Sequence, residues 1–227
     1  MHTLFDPQVP VLVPVIGNQS SFPVRRVYCV GKNYAAHIRE MGSDPERDEP
    51  CFFLKPADAV VLDGQVPYPL GTSDLHYEGE LVLAIGKEGR DIPVSKAGEF
   101  ILGYAAGLDM TRRDLQTAAG AQGMPWDTGK AFDYSAPLGP ICLQEACGEL
   151  EAGPIRLWVN DELRQNADLA DLIWTCREIV AQLSMLYTLK PGDLIYTGTP
   201  AGVGAVVRGD RIRVGIGDLP GLEVEIV

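Results

Sequence analysis

The 227-residue chain is short of several things. It has three histidines, at 2, 37 and 76, and no C-x-x-C pair among its five cysteines at 29, 51, 142, 147 and 176. A zinc site built on nitrogen and sulfur is therefore poorly supplied. An odd number of patternless cysteines points to reduced, mostly buried thiols in a cytosolic protein rather than to a disulfide framework. Positive charge is also scarce: 19 Lys and Arg against 31 Asp and Glu leave a formal charge of −12. That balance argues against nucleic acid and anionic membrane surfaces as partners. No apolar run approaches the ~18 residues that span a bilayer. No basic segment leads into a long apolar stretch at the N-terminus, so no signal peptide is expected. What is plentiful is glycine (25) and proline (17), which suits a β-rich chain with many turns. The length accommodates one large domain, with or without a short arm.

The most informative stretch is His76-Tyr-Glu-Gly-Glu-Leu-Val-Leu-Ala-Ile-Gly86. In a strand, residues i and i+2 share a face, so Glu78 and Glu80 would project side by side at the mouth of an apolar run. Two adjacent anions near a core are costly unless a cation lies between them; the alternative is an edge strand with two solvated glutamates. A second apolar run, 101–108, ends in Asp109, before a helix expected over 111–121. Asp109 thus falls at a strand-to-helix junction, either as a presented functional group or as a helix N-cap. Three carboxylates without His or Cys partners favour a hard cation, Mg2+ or Mn2+, with Ca2+ less suited. His76, beside them, reads as a supporting or structural residue.

Residues 1–24 carry Pro7, Pro10, Pro14 and Pro23 and read as an extended arm or edge strand. Residues 26–30 read as the first core strand. Residues 33–42 read as a short helix with Asn33 as N-cap and Gly42 just past its end. On it, His37 and Glu40 are three apart and share a face. Such a pair makes an oriented general base, or else an ordinary surface pair. The polar, proline-bounded loop at 43–50 follows and could move with the helix as a lid. Lys130 reads as a loop lysine, either solvated or placed to neutralise an anionic substrate. Asn160-Asp161 marks a hairpin turn. Thr175-Cys-Arg-Glu178 is a capping box opening an amphipathic helix through Ile179, Val180, Leu183, Leu186 and Tyr187. Lys190-Pro-Gly-Asp193 has a type II turn signature. The glycine-rich 198–204 segment can turn backbone N–H groups towards an anion but is no nucleotide-binding motif.

Taken together, Val30-Gly-Lys-Asn-Tyr34, His76-Tyr-Glu-Gly-Glu80, Gly107-Leu-Asp-Met-Thr-Arg-Arg-Asp114, Gly129-Lys-Ala-Phe132, Lys190-Pro-Gly-Asp193 and Gly198-Thr-Pro200 resemble the fumarylacetoacetate hydrolase family, in the family's order. Within it the likeness is to the short fumarylpyruvate and acylpyruvate hydrolases. The resemblance implies a β-rich α+β fold: a mixed β-sheet roll of the family's C-terminal-domain type with a few short helices. Residues 25–227 would be the catalytic domain, in a cytoplasmic homodimer. It implies Mg2+ or Mn2+ on Glu78, Glu80 and Asp109, and a His37–Glu40 dyad on a lid. It also places Lys130 at the substrate, with Arg113, Gln116 and Thr199 around it. Gly79 stands where a bulkier residue is expected, which predicts a looser strand there. The end of the 111–121 helix, 117–122, is uncharged where relatives often carry charge.

The implied reaction is hydrolysis of the C3–C4 bond of a 2,4-dioxo acid to pyruvate and a carboxylic acid. Fumarylpyruvate, from the gentisate route of aromatic catabolism, would give fumarate. Two alternatives share the same residues: decarboxylation of oxaloacetate, and a non-catalytic, metal-stabilised dimeric scaffold. Arg25, Arg26 and the 43–50 loop are the sequence's candidates for recognising the group beyond C4.

Overall fold

A computed structural model describes residues 3–42, 44 and 48–227. His2 and residues 43 and 45–47 of the expected lid loop lie outside the described residues.

The architecture is the mixed-sheet roll with short helices that the sequence implied. Its centre is a six-stranded sheet in the order Cys142–Leu143, Ile101–Leu108, Gly79–Ile85, Asp193–Tyr196, Arg26–Gly31, Cys51–Lys55. All its pairings are antiparallel except that of Asp193–Tyr196 with Arg26–Gly31. Gly79–Ile85 is therefore an interior strand, and every one of its residues is buried. A strand covered on both faces reads as a continuous apolar run rather than an alternating one. Leu81, Leu83 and Ile85 join one core; Val82 and Ala84 join a second on the opposite face.

The first core is closed by a five-stranded sheet, ordered Glu162–Asp168, Pro154–Val159, Arg211–Ile216, Leu222–Ile226, Gln65–Val66. These strands alternate, sending Ile155, Leu157, Val159, Ile212, Val214 and Ile216 inwards. The helix Cys176–Leu186 adds Ile179, Val180 and Leu183 to the same core. Its capping box is formed as expected, with Thr175 and Glu178 reciprocally bonded. Leu186, at the helix end, is 63 % exposed rather than packed. The second core takes Val13 and Phe22 from the short strands Leu12–Pro14 and Ser21–Pro23, which pair with each other.

Local turn chemistry follows the sequence. Asn160 and Asp161 both adopt positive φ in the Pro154–Val159 hairpin, as a type I′ turn requires. Gly192 has φ +98, and the Asp193 N–H donates to the Lys190 carbonyl. The helix Ala35–Glu40 departs from expectation at its start. Its N-cap is Tyr34, and Asn33 instead ties the turn to the rest of the fold. The Asn33 amide donates to the Thr197 and Trp174 carbonyls and accepts from the Trp174 N–H. Tertiary partners have outbid the local cap. Gly42, at φ +79, ends the helix as expected.

Candidate metal and active site

The register of two strands assembles the acidic centre. In the antiparallel pair, Gly79 faces Leu108 and Glu80 faces Gly107. One step beyond, the Asp109 N–H donates to the Glu78 carbonyl at 2.8 Å. Residues some thirty positions apart thereby become neighbours. Glu78, Glu80 and Asp109 are all at least 96 % buried, with carboxylate oxygens all within 4.8 Å of one another. Gly107, opposite Glu80, leaves room for the second core: a Cβ there would meet Val82 Cγ2 at 2.5 Å and Tyr196 Cε1 at 2.7 Å.

Cations surround the acids. Lys130 Nζ lies 2.8 Å from Glu78 Oε2, 2.8 Å from Asp109 Oδ2 and 2.7 Å from Thr111 Oγ1. An ammonium has three donors, so all are engaged. Lys130 is thus neither in a loop nor solvated. It ends the short helix Asp127–Lys130 and is buried. Gly129 allows that helix to lie against Gln116, whose backbone N would be 2.7 Å from a Cβ. Arg113 opens the helix Arg113–Ala121 and donates to Glu78 Oε1 at 2.5 Å and, one turn along, to Gln116 Oε1 at 2.5 Å. His76 sits behind Arg113, 3.4 Å from its Nε and 2.9 Å from Asp74.

The electrostatics split the two glutamates. Burial opposes the charge of Glu78, yet Lys130 and Arg113 outweigh it and hold the carboxyl well below the usual range. Glu80 is driven well above that range, by burial first and then by the charges of Asp109 and Glu78. The Gly198 N–H, 2.8 Å from Glu80 Oε2, only partly offsets this. The Lys130 ammonium is supported against burial by Asp109 and Glu78.

Gly79 does not loosen the strand. Its N–H donates to Gln165 Oε1 at 2.9 Å, and its carbonyl accepts from Thr199 Oγ1 at 3.0 Å. A side chain at 79 would press on Leu157 and Gln165, at 3.0 and 3.1 Å. Gln165, 1 % exposed, also donates to Thr199 Oγ1 and to the Pro200 carbonyl. The Thr199 hydroxyl uses its single proton on Gly79, leaving only acceptor capacity towards a ligand.

His37 lines the cavity over the acidic centre, and Glu40 stands behind it. Glu40 Oε2 is 3.0 Å from His37 Nδ1, so the carboxylate fixes the ring and leaves Nε2 as its working nitrogen. A cavity of about 660 Å³ joins His37, Glu78, Glu80, Asp109, Arg113, Gln116, Lys130 and Thr199 to an apolar wall including Ile38, Phe53, Met124 and Trp126. Of the expected catalytic, substrate-binding and metal-binding residues, all line it except Glu40, which acts on His37 from behind. Arg25 and Arg26 do not line it; they pair with buried Asp193 at 2.9 and 3.6 Å. Another concavity, near Trp158 and Arg213, is lined by Asp63, Asp161, Glu223 and Glu225, but among the described residues no three of these bring ligand atoms together as the buried triad does.

Sequence reasoning passed over two supports of the site. Lys55, fully buried, lies 2.8 Å from Asp109 Oδ1 and donates to the Met110 and Lys130 carbonyls. Its only signal was a lysine ending an apolar strand. Gln165 gave no signal beyond its place in an alternating hairpin.

The donor set fits a hard divalent cation. It consists of oxygens alone, and Asp109 Oδ1, an ion-pair partner of Lys55 at 2.8 Å, makes no hydrogen bond. A carboxyl as proton-prone as Glu80 is also what a buried anion shows when its countercharge is insufficient.

Comparison with known proteins agrees with this geometry. Residues 26–227 match the family model described as fumarylacetoacetate (FAA) hydrolase C-terminal. A fumarylpyruvate hydrolase of Ralstonia sp. is 50 % identical over 170 residues, 74 % of this chain and 88 % of that one. A mitochondrial oxaloacetate decarboxylase of Dictyostelium discoideum is 39 % identical over 85 % of this chain and 88 % of that one. The crystal structure of a fumarylpyruvate hydrolase from Pseudomonas aeruginosa with Mn2+ and pyruvate superposes with a TM-score of 0.97. It is 52 % identical and covers 100 % of this chain and 99 % of its own. The chain belongs to the fumarylacetoacetate hydrolase family.

Proposed function

We propose that the protein is a metal-dependent fumarylpyruvate or acylpyruvate hydrolase that cleaves the C3–C4 bond of a 2,4-dioxo acid. The observation that carries this reading is the convergence of three buried carboxylates on the cavity that also receives His37. The Ralstonia and Pseudomonas relatives support the substrate class.

Glu78, Glu80 and Asp109 would hold Mg2+ or Mn2+. When bound, such an ion supplies Lewis-acid polarisation of keto-acid oxygens. His37, oriented by Glu40, takes a proton from water, and the resulting hydroxide adds to the C4 carbonyl. The C3–C4 bond breaks with its electron pair on the three-carbon fragment, and the proton held by His37 converts that fragment to pyruvate. The other product is a carboxylic acid, fumaric acid from fumarylpyruvate, which ionises in solvent. Lys130 borders the reacting region and carries the charge that a developing oxyanion requires. Contact with substrate needs one of its three present acceptors to be exchanged. Arg113 and Gln116 hold the substrate side of the centre, and Thr199 accepts but does not donate.

The working unit in this reading is a cytoplasmic homodimer in the gentisate route. Five free cysteines suit a reducing compartment. Leu4, Phe5 and Val9, each more than 75 % exposed, are apolar side chains that a second subunit would cover. Decarboxylation of oxaloacetate is the second reading, favoured by the Dictyostelium relative.

The test is loss of diketo-acid absorbance coupled to pyruvate formation with Mn2+-loaded protein, run beside oxaloacetate and repeated after EDTA. Metal-dependent cleavage of acylpyruvates with much slower loss of oxaloacetate is expected. The reverse preference establishes the second reading.

A further inference from the structure

We propose that Lys32 determines substrate class by pairing with a second carboxylate at the far end of the substrate, so that the site selects dianionic over monoanionic acylpyruvates. The proposal rests on the acylpyruvate reading above and goes further by naming the residue that reads the group beyond C4.

Three basic residues line the cavity besides His37: Lys32, Arg113 and Lys130. Lys130 has no donor left, and Arg113 is divided between Glu78, Gln116 and His76. Lys32 alone of the three has no ion pair or side-chain hydrogen bond among the described residues. A substrate with charges at both ends needs a cation away from the metal carboxylates, and among the described residues lining the cavity Lys32 is the one available.

Its backbone makes the same point. Lys32 has φ +59, in the left-handed region. Glycine or asparagine would take that conformation with little strain; a lysine does so at a cost. Strain of this kind collects where a side chain is put to use. The conformation is imposed from both sides. Gly31 ends the strand Arg26–Gly31, and Asn33 is pinned to Thr197 and Trp174. Trp126 lies over Gly31, 3.2 Å from where a Cβ would stand, and packs edge-on against Phe53. Those two rings form an apolar wall of the cavity that also holds both the acidic centre and Lys32. An unsaturated or aliphatic linker fits such a wall, with a carboxylate on each side of it.

Asp44, Asp48 and Glu49 share a small neighbouring cleft with Lys32, and none of them pairs with it. The simpler role for Lys32 is to moderate those charges, and the experiment separates the two roles.

Binding is measured by calorimetry on the Mn2+-loaded His37→Ala protein, which would hold substrate without cleaving it. Fumarylpyruvate (two carboxylates) and acetylpyruvate (one) are compared with and without Lys32→Asn. Asparagine tolerates the left-handed backbone, so the fold is kept while the charge is removed. Loss of one charge-assisted contact predicts at least tenfold weaker fumarylpyruvate binding and acetylpyruvate unchanged within about twofold. Lys32→Arg should retain most of the fumarylpyruvate affinity. Equal weakening of both ligands, no change in either, or no binding of fumarylpyruvate before Lys32 is altered overturns the proposal. Turnover on the otherwise native protein is read separately: acylpyruvate cleavage without Lys32-dependent selectivity leaves the hydrolase reading standing alone.

Discussion

The backbone N–H of Gly202 donates to Glu40 Oε1 at 2.9 Å, while the other oxygen of the same carboxylate holds His37. The Gly202 carbonyl accepts in turn from the Tyr77 hydroxyl at 3.0 Å. Hydrogen bonds thus link the residue beside Glu78 to the backbone of Gly202, and Gly202 in turn to the carboxylate that holds the imidazole. Gly202 has φ +100, and a Cβ there would stand 2.0 Å from the Arg164 carbonyl. Gly202→Ala should displace the loop and cost about tenfold or more in kcat, a share of a general base's usual contribution. Tyr77→Phe should cost less, with KM nearly unchanged. Steady-state kinetics and the pH profile of kcat check both, and unaltered kcat in Gly202→Ala would rule the peptide out as a positioning element.

His37→Ala separates chemistry from metal binding. It should retain Mn2+, which contacts other residues in the proposed site, while losing at least ~100-fold in turnover. Metal content by elemental analysis and single-turnover rates on the same preparation provide the comparison. Full turnover would remove the dyad from the mechanism.

Gln165 braces the peptide between the two glutamates. Gln165→Ala strands the buried Gly79 N–H and Pro200 carbonyl and removes a partner from Thr199. Each unpaired buried group costs about 1–3 kcal/mol, so a loss of about 2–6 kcal/mol in unfolding free energy is expected for the two. Chemical denaturation measures it. Mn2+ affinity should fall in parallel, because the segment carrying Glu78 and Glu80 is no longer held.

As a ligand in the proposed site, Glu80 would make metal binding pH-dependent. Its folded-state carboxyl titrates well above the ordinary value of 4.5 because of burial, Asp109 and Glu78. A raised group stabilises the fold below its unfolded value and ceases to do so as pH rises through the folded one. The metal-free protein should therefore lose stability as pH rises above the ordinary carboxylate range and through the raised value of Glu80. Glu78, being lowered, acts only in the acid range and with the opposite sign. Mn2+ must displace the Glu80 proton, so its affinity should weaken as pH falls, with proton release on binding. At about 100 times its Kd the ion should restore about 2.7 kcal/mol. Thermal melts with Mn2+ and with EDTA test this, and Glu80→Gln should flatten the metal-free pH dependence.

Much of the local structure was legible because local chemistry decides it. The Thr175–Glu178 box, the Asn160-Asp161 turn and the Lys190–Asp193 turn each depend on neighbours within a few residues, and each formed as read. Asn33 shows the limit. Its side chain had a good local option and took distant carbonyls instead. Lys130 shows it again. Lysine is ordinarily solvated, and nothing within ten residues announces that two buried acids will claim it.

By itself, the sequence determined which chemistry was on offer: an all-oxygen set of carboxylates, one imidazole with a carboxylate a turn away, few cations and no C-x-x-C pair. The tertiary structure alone decided where those groups meet. The Glu80–Gly107 register aligns two strands so that Asp109 reaches Glu78, and Lys55, Gln165 and Gly202 support the result from segments far away in the chain. Long-range strand pairing is set by the packing of two cores at once, a global condition that leaves no mark in any short stretch of residues.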